Sequence, residues 1–257
     1  MVRTLRIAIL LIILLFVAAN TWLDRVYSTD WDSPLLVALY PINADGSPAT
    51  RNFIGTSSDN ELERMEDFFS QQSQQYGLSL ERPLRFTLAP VLAKSPPDAP
   101  ENAGPIGIML WSLKLRWFNW QVDNPSGPTP TIKLFMLYHD PAHATQLPHS
   151  VGLQKGLVGI AHLFASTDMA HANQVIIAHE LLHTLGATDK YDPETNLPVY
   201  PDGYADPEQN PRLPQTKAEL MAGRIAVSET RAEQASGLTE CMIGSKTARE
   251  IGWSGSP

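Results

Sequence analysis

The sequence predicts an α/β fold in which a mixed, twisted β-sheet packs on a central helix, preceded by an N-terminal membrane helix. Three observations lead to this prediction. Short apolar segments with strand patterning alternate with helical segments along the chain. One helical segment, residues 175–186, is apolar nearly all round, which is typical of a helix buried against a sheet. An unbroken apolar run also lies near the first residue.

The first residues of the chain predict a membrane-targeting segment. Arg3 and Arg6 precede an unbroken apolar run over residues 7–19. Extending this run to residues 5–23 gives about the 17 to 25 residues that a tilted transmembrane helix needs. Because the basic residues precede the run, we expect the rest of the chain to lie outside the cytoplasm.

Two interpretations of this segment remain open. Residues 1–23 can form the signal-anchor of a single-pass membrane protein, followed by a juxtamembrane linker over residues 24–34. The small residues at 17–19 also resemble a cleavage site, in which case the segment is a removable signal peptide and the protein is secreted. In both cases residues 35–257 are expected to form one extracytoplasmic domain.

Composition excludes several classes of protein. The chain has 257 residues, of which 43% are hydrophobic, so it can bury a sizeable core. A net charge of -8, with no basic cluster beyond the N-terminus, argues against nucleic acid or an anionic lipid surface as the principal partner. The single cysteine, Cys241, excludes an intrachain disulfide and a cysteine-rich structural metal site.

The elements before the central helix are predicted from apolar periodicity and from the turn residues between them. One predicted helix, at residues 106–122, carries Trp111, Trp117 and Trp120 among many aliphatic residues, which indicates a core helix. A second predicted helix covers residues 59–76. The predicted strands cover residues 35–40, 84–92, 131–138 and 156–165.

The central helix carries the pattern that points to chemistry. It is expected to begin near the capping residues at 166–168 and to end at Gly186. His179 and His183 are four residues apart, so both imidazoles lie on one face and can bind one metal ion. Glu180 lies one position round the helix, where it can act as the general base towards a metal-activated water. These polar groups in an apolar helix would be costly without such compensation.

Asp189 is the preferred third ligand. Gly186 can adopt the left-handed conformation that turns the chain sharply after the helix, which would return Asp189 to the metal. A carboxylate oxygen is an acceptable ligand for zinc, and three protein ligands leave the fourth position open, as in catalytic zinc sites. Asp192 and Glu194 compete for the same role.

The stretch HELLHTLGATD at residues 179–189 resembles the extended HExxHxxGxxH signature of the metzincin clan of zinc metallopeptidases. Asp189 stands where most of the clan has a third histidine, as in the snapalysin-type variant. The resemblance implies a zincin-like α+β fold, one catalytic Zn²⁺ ion in a cleft, and a last strand, residues 156–165, that pairs with an extended peptide substrate.

The resemblance also implies a methionine beneath the metal. Met221 is the preferred candidate, and Met242 is the alternative. A gluzincin arrangement, in which Glu219 or Glu229 supplies the third ligand, competes with the metzincin one. The presence of Gly186 and Asp189 favours the metzincin arrangement.

Two functions follow as expectations. The first is a zinc metalloendopeptidase that hydrolyses peptide bonds outside the cytoplasm, with Glu180 as general base and a peptide or protein as substrate. The second is a catalytically silent, zinc-stabilised envelope domain that binds a protein partner. The intact Glu180 favours the enzyme. A developing oxyanion can accept a hydrogen bond from Tyr191, Tyr200 or Tyr204. The sequence does not choose among these three tyrosines.

Overall fold

The computed structural model has one five-stranded mixed sheet, with helices on both faces, and two further two-stranded sheets. It describes residues 6, 11, 15, 29–56, 59–100, 103–124 and 127–253. Apart from three single positions, the predicted membrane segment at residues 1–23 lies outside the described residues. Within the described part of the chain, no helix combines the length and the apolar character needed to cross a membrane.

The main sheet has the order β2-β1-β3-β5-β4, and all neighbours are parallel except β4 and β5. The first strand continues past Tyr40 through Pro41, whereas the second ends four residues before the predicted Leu92. Every side chain of β3 from Leu134 to Tyr138 is buried, because helices cover both faces of the sheet. The five strands are Leu35–Asn43, Leu84–Leu88, Ile132–His139, Val151–Leu153 and Val158–Phe164.

The edge of the sheet differs from the prediction. The segment at residues 156–165 was expected to be the last strand, but it is an inner strand, β5. The antiparallel strand β4 pairs outside it, with Val151 opposite Ile160 and Leu153 opposite Val158. Three residues with a central glycine give too little alternation for a strand to be recognised from sequence. The edge strand on this side of the sheet is therefore β4.

Five helices and four further strands complete the described fold. The helices α1 to α5 are Pro48–Ile54, Asp59–Gln75, Pro105–Gln121, Ala170–Thr184 and Ser245–Glu250. The strands β6 to β9 are Ala218–Glu219, Arg224–Ser228, Arg231–Gln234 and Cys241–Met242. Helices α2 and α4 contribute to the larger core cluster on one face of the sheet, and α3 contributes to the smaller cluster on the other face.

Helix α4, which carries the predicted ligands, is central as expected. A 3-10 turn at Thr167–Met169 precedes it, so the α-helix itself is shorter than the predicted 18 to 20 residues. Its residues pack against β3, β4 and β5 on one side. On another side they share the core with residues of the C-terminal segment, which include Leu220, Met221 and Leu238.

The prediction of a core helix at residues 106–122 was wrong. Helix α3 forms where expected, but only Trp111 and Leu115 among its side chains are buried. Most of its other large apolar side chains are exposed: Ile106, Ile108, Met109, Leu110, Leu113, Trp117 and Trp120. One face of the helix packs on the sheet, and nothing within the described chain covers the opposite face.

Trp31 connects the beginning and the end of the described domain. Its indole Nε1 donates a hydrogen bond to the carbonyl oxygen of Ile251 over 2.7 Å. Its ring meets that of Trp253 at a centroid distance of 5.8 Å, edge to face. Trp31 is buried although it lies within the stretch predicted as a linker, so the packed domain includes the residues just before β1.

Candidate metal centre

The end of α4 brings the predicted third ligand back towards the helix. Gly186 has φ +101, a left-handed conformation that costs glycine little. Its N–H donates to the carbonyl of His183 over 3.1 Å, and the N–H of Ala187 donates to that of Leu182 over 3.0 Å. This pair of bonds is a Schellman motif, which ends the helix and reverses the chain. The turn predicted at Gly186 is confirmed.

The structure brings the three predicted ligands together. Asp189 Oδ1 lies 3.1 Å from His179 Nε2 and 3.1 Å from His183 Nε2. The two Nε2 atoms are 3.0 Å apart. In the described part of the chain, this is the one group of three or more His, Cys, Asp or Glu side chains whose ligand atoms converge in this way.

The other ring nitrogen of each histidine is held by a backbone carbonyl. His179 Nδ1 donates to Leu220 O over 3.0 Å, and His183 Nδ1 donates to Ala187 O over 2.8 Å. A carbonyl only accepts, so each Nδ1 must carry the proton. When neutral, each ring therefore directs its Nε2 lone pair towards Asp189. This is the outer-shell arrangement that orients histidine ligands in metal sites.

The pKa values of His179 and Asp189 indicate that a positive charge stabilises the cluster. Burial opposes the charged form of His179, but the hydrogen bond to Asp189 and the charge of Glu180 raise the pKa of His179 to about 9. Burial would raise the pKa of Asp189, but hydrogen bonds to the two histidines hold this pKa well below its usual range. In the absence of a metal ion, a proton held on the cluster supplies the positive charge.

The donor set fits zinc. The three ligand atoms form a triangle with edges of 3.0 to 3.1 Å. An ion can therefore lie about 2.1 Å from all three atoms, which is a normal Zn–N and Zn–O distance. Two neutral imidazoles and one carboxylate are ligands that zinc prefers. Without a cation or a proton between them, three converging acceptor atoms would repel one another.

Glu180 lies next to this cluster and is not part of it. The residue is only 5% exposed, and its Oε2 atom is buried without a hydrogen-bond partner. Burial raises the pKa of Glu180, while the neighbouring histidines oppose that shift. Within the described chain no protein group holds Glu180 Oε2, and Glu180 lines a cavity beside His179.

Met221, the preferred candidate for the methionine beneath the metal, is fully buried and follows Leu220, whose carbonyl accepts a hydrogen bond from His179. Its turn is fixed by Glu219, whose Oε2 accepts from the N–H groups of Met221 and Ala222 over 2.6 and 3.1 Å. Glu219 Oε1 accepts from Gly244 N–H and from the Thr247 hydroxyl. With both oxygens used in this way, Glu219 is not part of the ligand cluster. Met242 lies in β9.

The other acids that were considered as ligands have other partners. Glu229 pairs with Arg212 over 2.6 Å. Asp192 Oδ1 accepts hydrogen bonds from Thr195, and Glu194 is exposed. None of these acids belongs to the converging group.

Two cavities flank the cluster. One, with an empty volume of about 1180 Å³, lies beside His183 and is walled by β4 and by Ile108, Met109 and Leu113 of α3. The other, with an empty volume of about 1410 Å³, lies beside His179 and Glu180 and includes Tyr191 and Arg224. Strand β4 passes close over α4. The Glu180 carbonyl and the His183 side chain therefore leave no room for a Cβ atom at Gly152.

The structure distinguishes among the three candidate tyrosines. Tyr191 lines the cavity beside His179, whereas neither Tyr200 nor Tyr204 lines it. Arg224 in the same cavity was not singled out from the sequence, because a lone arginine after a turn carries no motif. The only indication in the sequence was its position, because Arg224 follows Met221 by three residues.

No protein-family model matches this chain, and no curated protein matches it either.

Proposed function

We propose that the protein is a zinc-dependent endopeptidase, similar to metzincins of the snapalysin type, with His179, His183 and Asp189 as zinc ligands. The observation that carries the proposal is the convergence of three ligand atoms within 3.1 Å beside the buried carboxylate of Glu180, which lies outside the converging group. A structural zinc site has four protein ligands, and three ligands next to a buried base are typical of a hydrolytic one.

Glu180 supplies the acid–base chemistry. When bound, zinc would polarise a water molecule and the substrate carbonyl as a Lewis acid. The Glu180 carboxylate accepts a proton from the attacking water and later donates it to the leaving amine. Burial favours the protonated form of Glu180, so the proton can stay on its carboxyl group between these two steps. Tyr191 lies in the same cavity, where its hydroxyl can donate to the oxygen that gains charge.

The surroundings of the cluster support an extended peptide as substrate. Strand β4 pairs with β5 on one side only, so its other edge offers free backbone groups along the cleft. One cavity lies beside His183 and the other beside His179. They can receive side chains on the two sides of the scissile bond. Internal cleavage of a chain is therefore favoured over removal of a terminal residue.

The proposal includes a location outside the cytoplasm. Its support is the sequence alone: Arg3 and Arg6 precede the apolar run at residues 7–19. The protein is then a single-pass membrane protein, or a secreted protein if the segment is removed. A protease added to intact cells should digest the domain; a domain accessible only from the cytoplasm would contradict this location.

The test of function pairs metal analysis with digestion of a broad peptide library. The wild type should contain one zinc ion per chain and cleave peptides internally, and chelation should stop cleavage until zinc is restored. His183→Ala should lose both the metal and the cleavage. His171→Ala is the matched control, because His171 lies on the same helix, is exposed, and lies outside the cluster.

Two results would contradict the proposal. Unchanged zinc content in His183→Ala would show that the metal binds elsewhere. A zinc-loaded wild type that cleaves no peptide in the library would favour the catalytically silent binding domain.

A further inference from the structure

Helix α3 has a continuous apolar face directed away from the sheet. Ile106, Leu110, Leu113, Trp117 and Trp120 follow one another at intervals of four, three, four and three residues, which places them on one face. All five are exposed. The buried residues Trp111 and Leu115 lie on the opposite face, against the sheet. An apolar face of this length is unusual on a protein surface and indicates a binding surface.

The two tryptophans of this face have the character of bilayer-interface residues. Trp117 and Trp120 are 60% and 73% exposed, and their ring centroids are 5.0 Å apart. Tryptophan is enriched where an apolar phase meets water, because its ring is largely apolar and its N–H needs a polar partner.

The charge of α3 is opposite to that of the whole chain. The helix contains Lys114 and Arg116 and no acidic residue, whereas the chain has a net charge of -8. Lys114 lies about 100° from Leu113 in one direction around the helix, and Arg116 lies about 60° from it in the other direction. The two charged residues therefore flank the apolar face on its two sides. Their aliphatic stems can lie along the apolar layer while the charged ends reach phosphate groups. This distribution complements an anionic lipid surface.

The position of α3 agrees with the position of the predicted anchor. Lys133, at the start of β3, donates to the carbonyls of Asn119 and Val122 over 3.3 and 2.8 Å, so the tryptophan end of α3 lies where β3 begins. Strand β1 begins at the same end, since it pairs with β3 in parallel. Residues 24–30, which separate the apolar N-terminal run from Trp31, span at most about 25 Å. The chain that follows the run therefore enters the domain at the end of the sheet where the tryptophan end of α3 lies.

We propose that the exposed face of α3 is a membrane-docking surface, which inserts Leu113, Trp117 and Trp120 into the interfacial layer of an anionic bilayer. Docking would place the cavity beside His183, whose wall includes Leu113, next to the lipid surface. The proposal concerns binding of the domain to lipid and does not depend on peptide hydrolysis.

The test uses the full chain with vesicles of phosphatidylcholine and phosphatidylglycerol whose acyl chains carry bromine as a quencher. The single native cysteine is replaced (Cys241→Ser), and an environment-sensitive fluorophore is attached at Leu113→Cys. Val199→Cys is the matched control, because Leu113 and Val199 are both apolar and each is 48% exposed. Circular dichroism of both labelled chains checks that they fold.

The fluorophore at position 113 should shift to the blue and lose most of its emission to the brominated lipid, while the fluorophore at position 199 should not. Lys114→Gln with Arg116→Gln should weaken the quenching at position 113 towards the value found in vesicles of phosphatidylcholine alone.

Equal quenching at positions 113 and 199 would overturn the proposal, and so would the absence of quenching at position 113. A fluorophore at position 113 that is shielded from aqueous iodide yet not quenched by brominated lipid would also overturn it. That result would show that protein, such as a second copy of the chain, covers the face instead.

Discussion

Helices α3 and α4 are both apolar on nearly all sides, but they differ in how much of that surface is buried. In α4, residues such as Leu181 and Leu182 are fully buried, because the sheet covers one side and the C-terminal segment covers another. In α3, only Trp111 and Leu115 are buried, because the sheet and the loop at Pro97 cover only one side of it. An apolar sequence thus shows that a helix needs covering, and not what covers it.

The polar groups of the two helices differ in the same way. In α4, His179, Glu180 and His183 lie in the covered region, where their charges must be balanced by one another or by a metal ion. In α3, Lys114 and Arg116 lie beside an uncovered face, where water or lipid phosphate can solvate them. The buried polar groups of α4 form the proposed reaction centre, and the exposed charges of α3 lie beside the proposed docking surface.

The largest effect is expected when the same substitution is made in the two helices. Leu181→Ala in α4 should lower the free energy of unfolding by about 2 to 5 kcal/mol, because it removes a fully buried side chain. Leu113→Ala in α3 should change it by about 0.5 kcal/mol or less, since Leu113 is exposed. Urea unfolding of the chain without lipid measures both. Equal losses of stability would mean that the outer face of α3 is covered in solution.

The second prediction concerns the proposed metal ligands at the end of α4. Asp189→Asn should weaken zinc binding by more than the roughly 10- to 100-fold that loss of an outer-shell partner costs, because a neutral amide is a poorer ligand for a divalent cation. Added zinc should restore part of the activity. Competition with a chelator gives the affinity, and Asp192→Asn, three residues further on, is the control. Equal zinc affinity in the two variants would remove Asp189 from the ligand set.

The third prediction concerns the turn that covers α4 on the side of His179. Glu219→Gln keeps the size of the side chain but loses an acceptor oxygen, which leaves buried donors at Met221 or Gly244 unpaired. The free energy of unfolding should fall by about 1 to 3 kcal/mol. Glu229→Gln, which breaks an exposed ion pair, should cost about 1 kcal/mol or less. Similar values for the two variants would show that the turn does not depend on Glu219.

The smallest effect is a pH dependence of zinc affinity. His179 carries a proton in the metal-free protein below its pKa of about 9, so zinc must displace that proton. Affinity should therefore rise with pH by up to about tenfold per pH unit until it levels off near that pKa. Titration in a series of buffers measures it. A constant affinity between about pH 7 and pH 8.5 would contradict proton displacement from His179.

The sequence predicted the parts of the site that depend on local geometry. Residues four apart share one face of a helix, so the sequence places His179 and His183 together. The chain reverses at Gly186 because this glycine adopts the left-handed conformation. Neither needs information about the rest of the chain. The same reasoning gave the alternation of strands and helices and the central position of α4.

The features that were missed depend on contacts between distant segments. Strand β4 is identified by its pairing with β5 and by the close approach of Gly152 to α4, and neither leaves a pattern in three residues. The exposure of α3 follows from the absence of a second covering layer in the described chain, which no periodicity can predict.

The central claim is that Glu180 acts as a base beside a metal that it does not bind. Glu180→Gln keeps the size of the side chain and removes the base, so the most direct measurement is zinc content and peptide hydrolysis of this variant beside the wild type. We expect the Glu180→Gln variant to keep its zinc content and to hydrolyse peptides roughly 10²- to 10⁴-fold more slowly, because general acid–base catalysis contributes a factor of this size. Equal rates of hydrolysis in the variant and the wild type would contradict it.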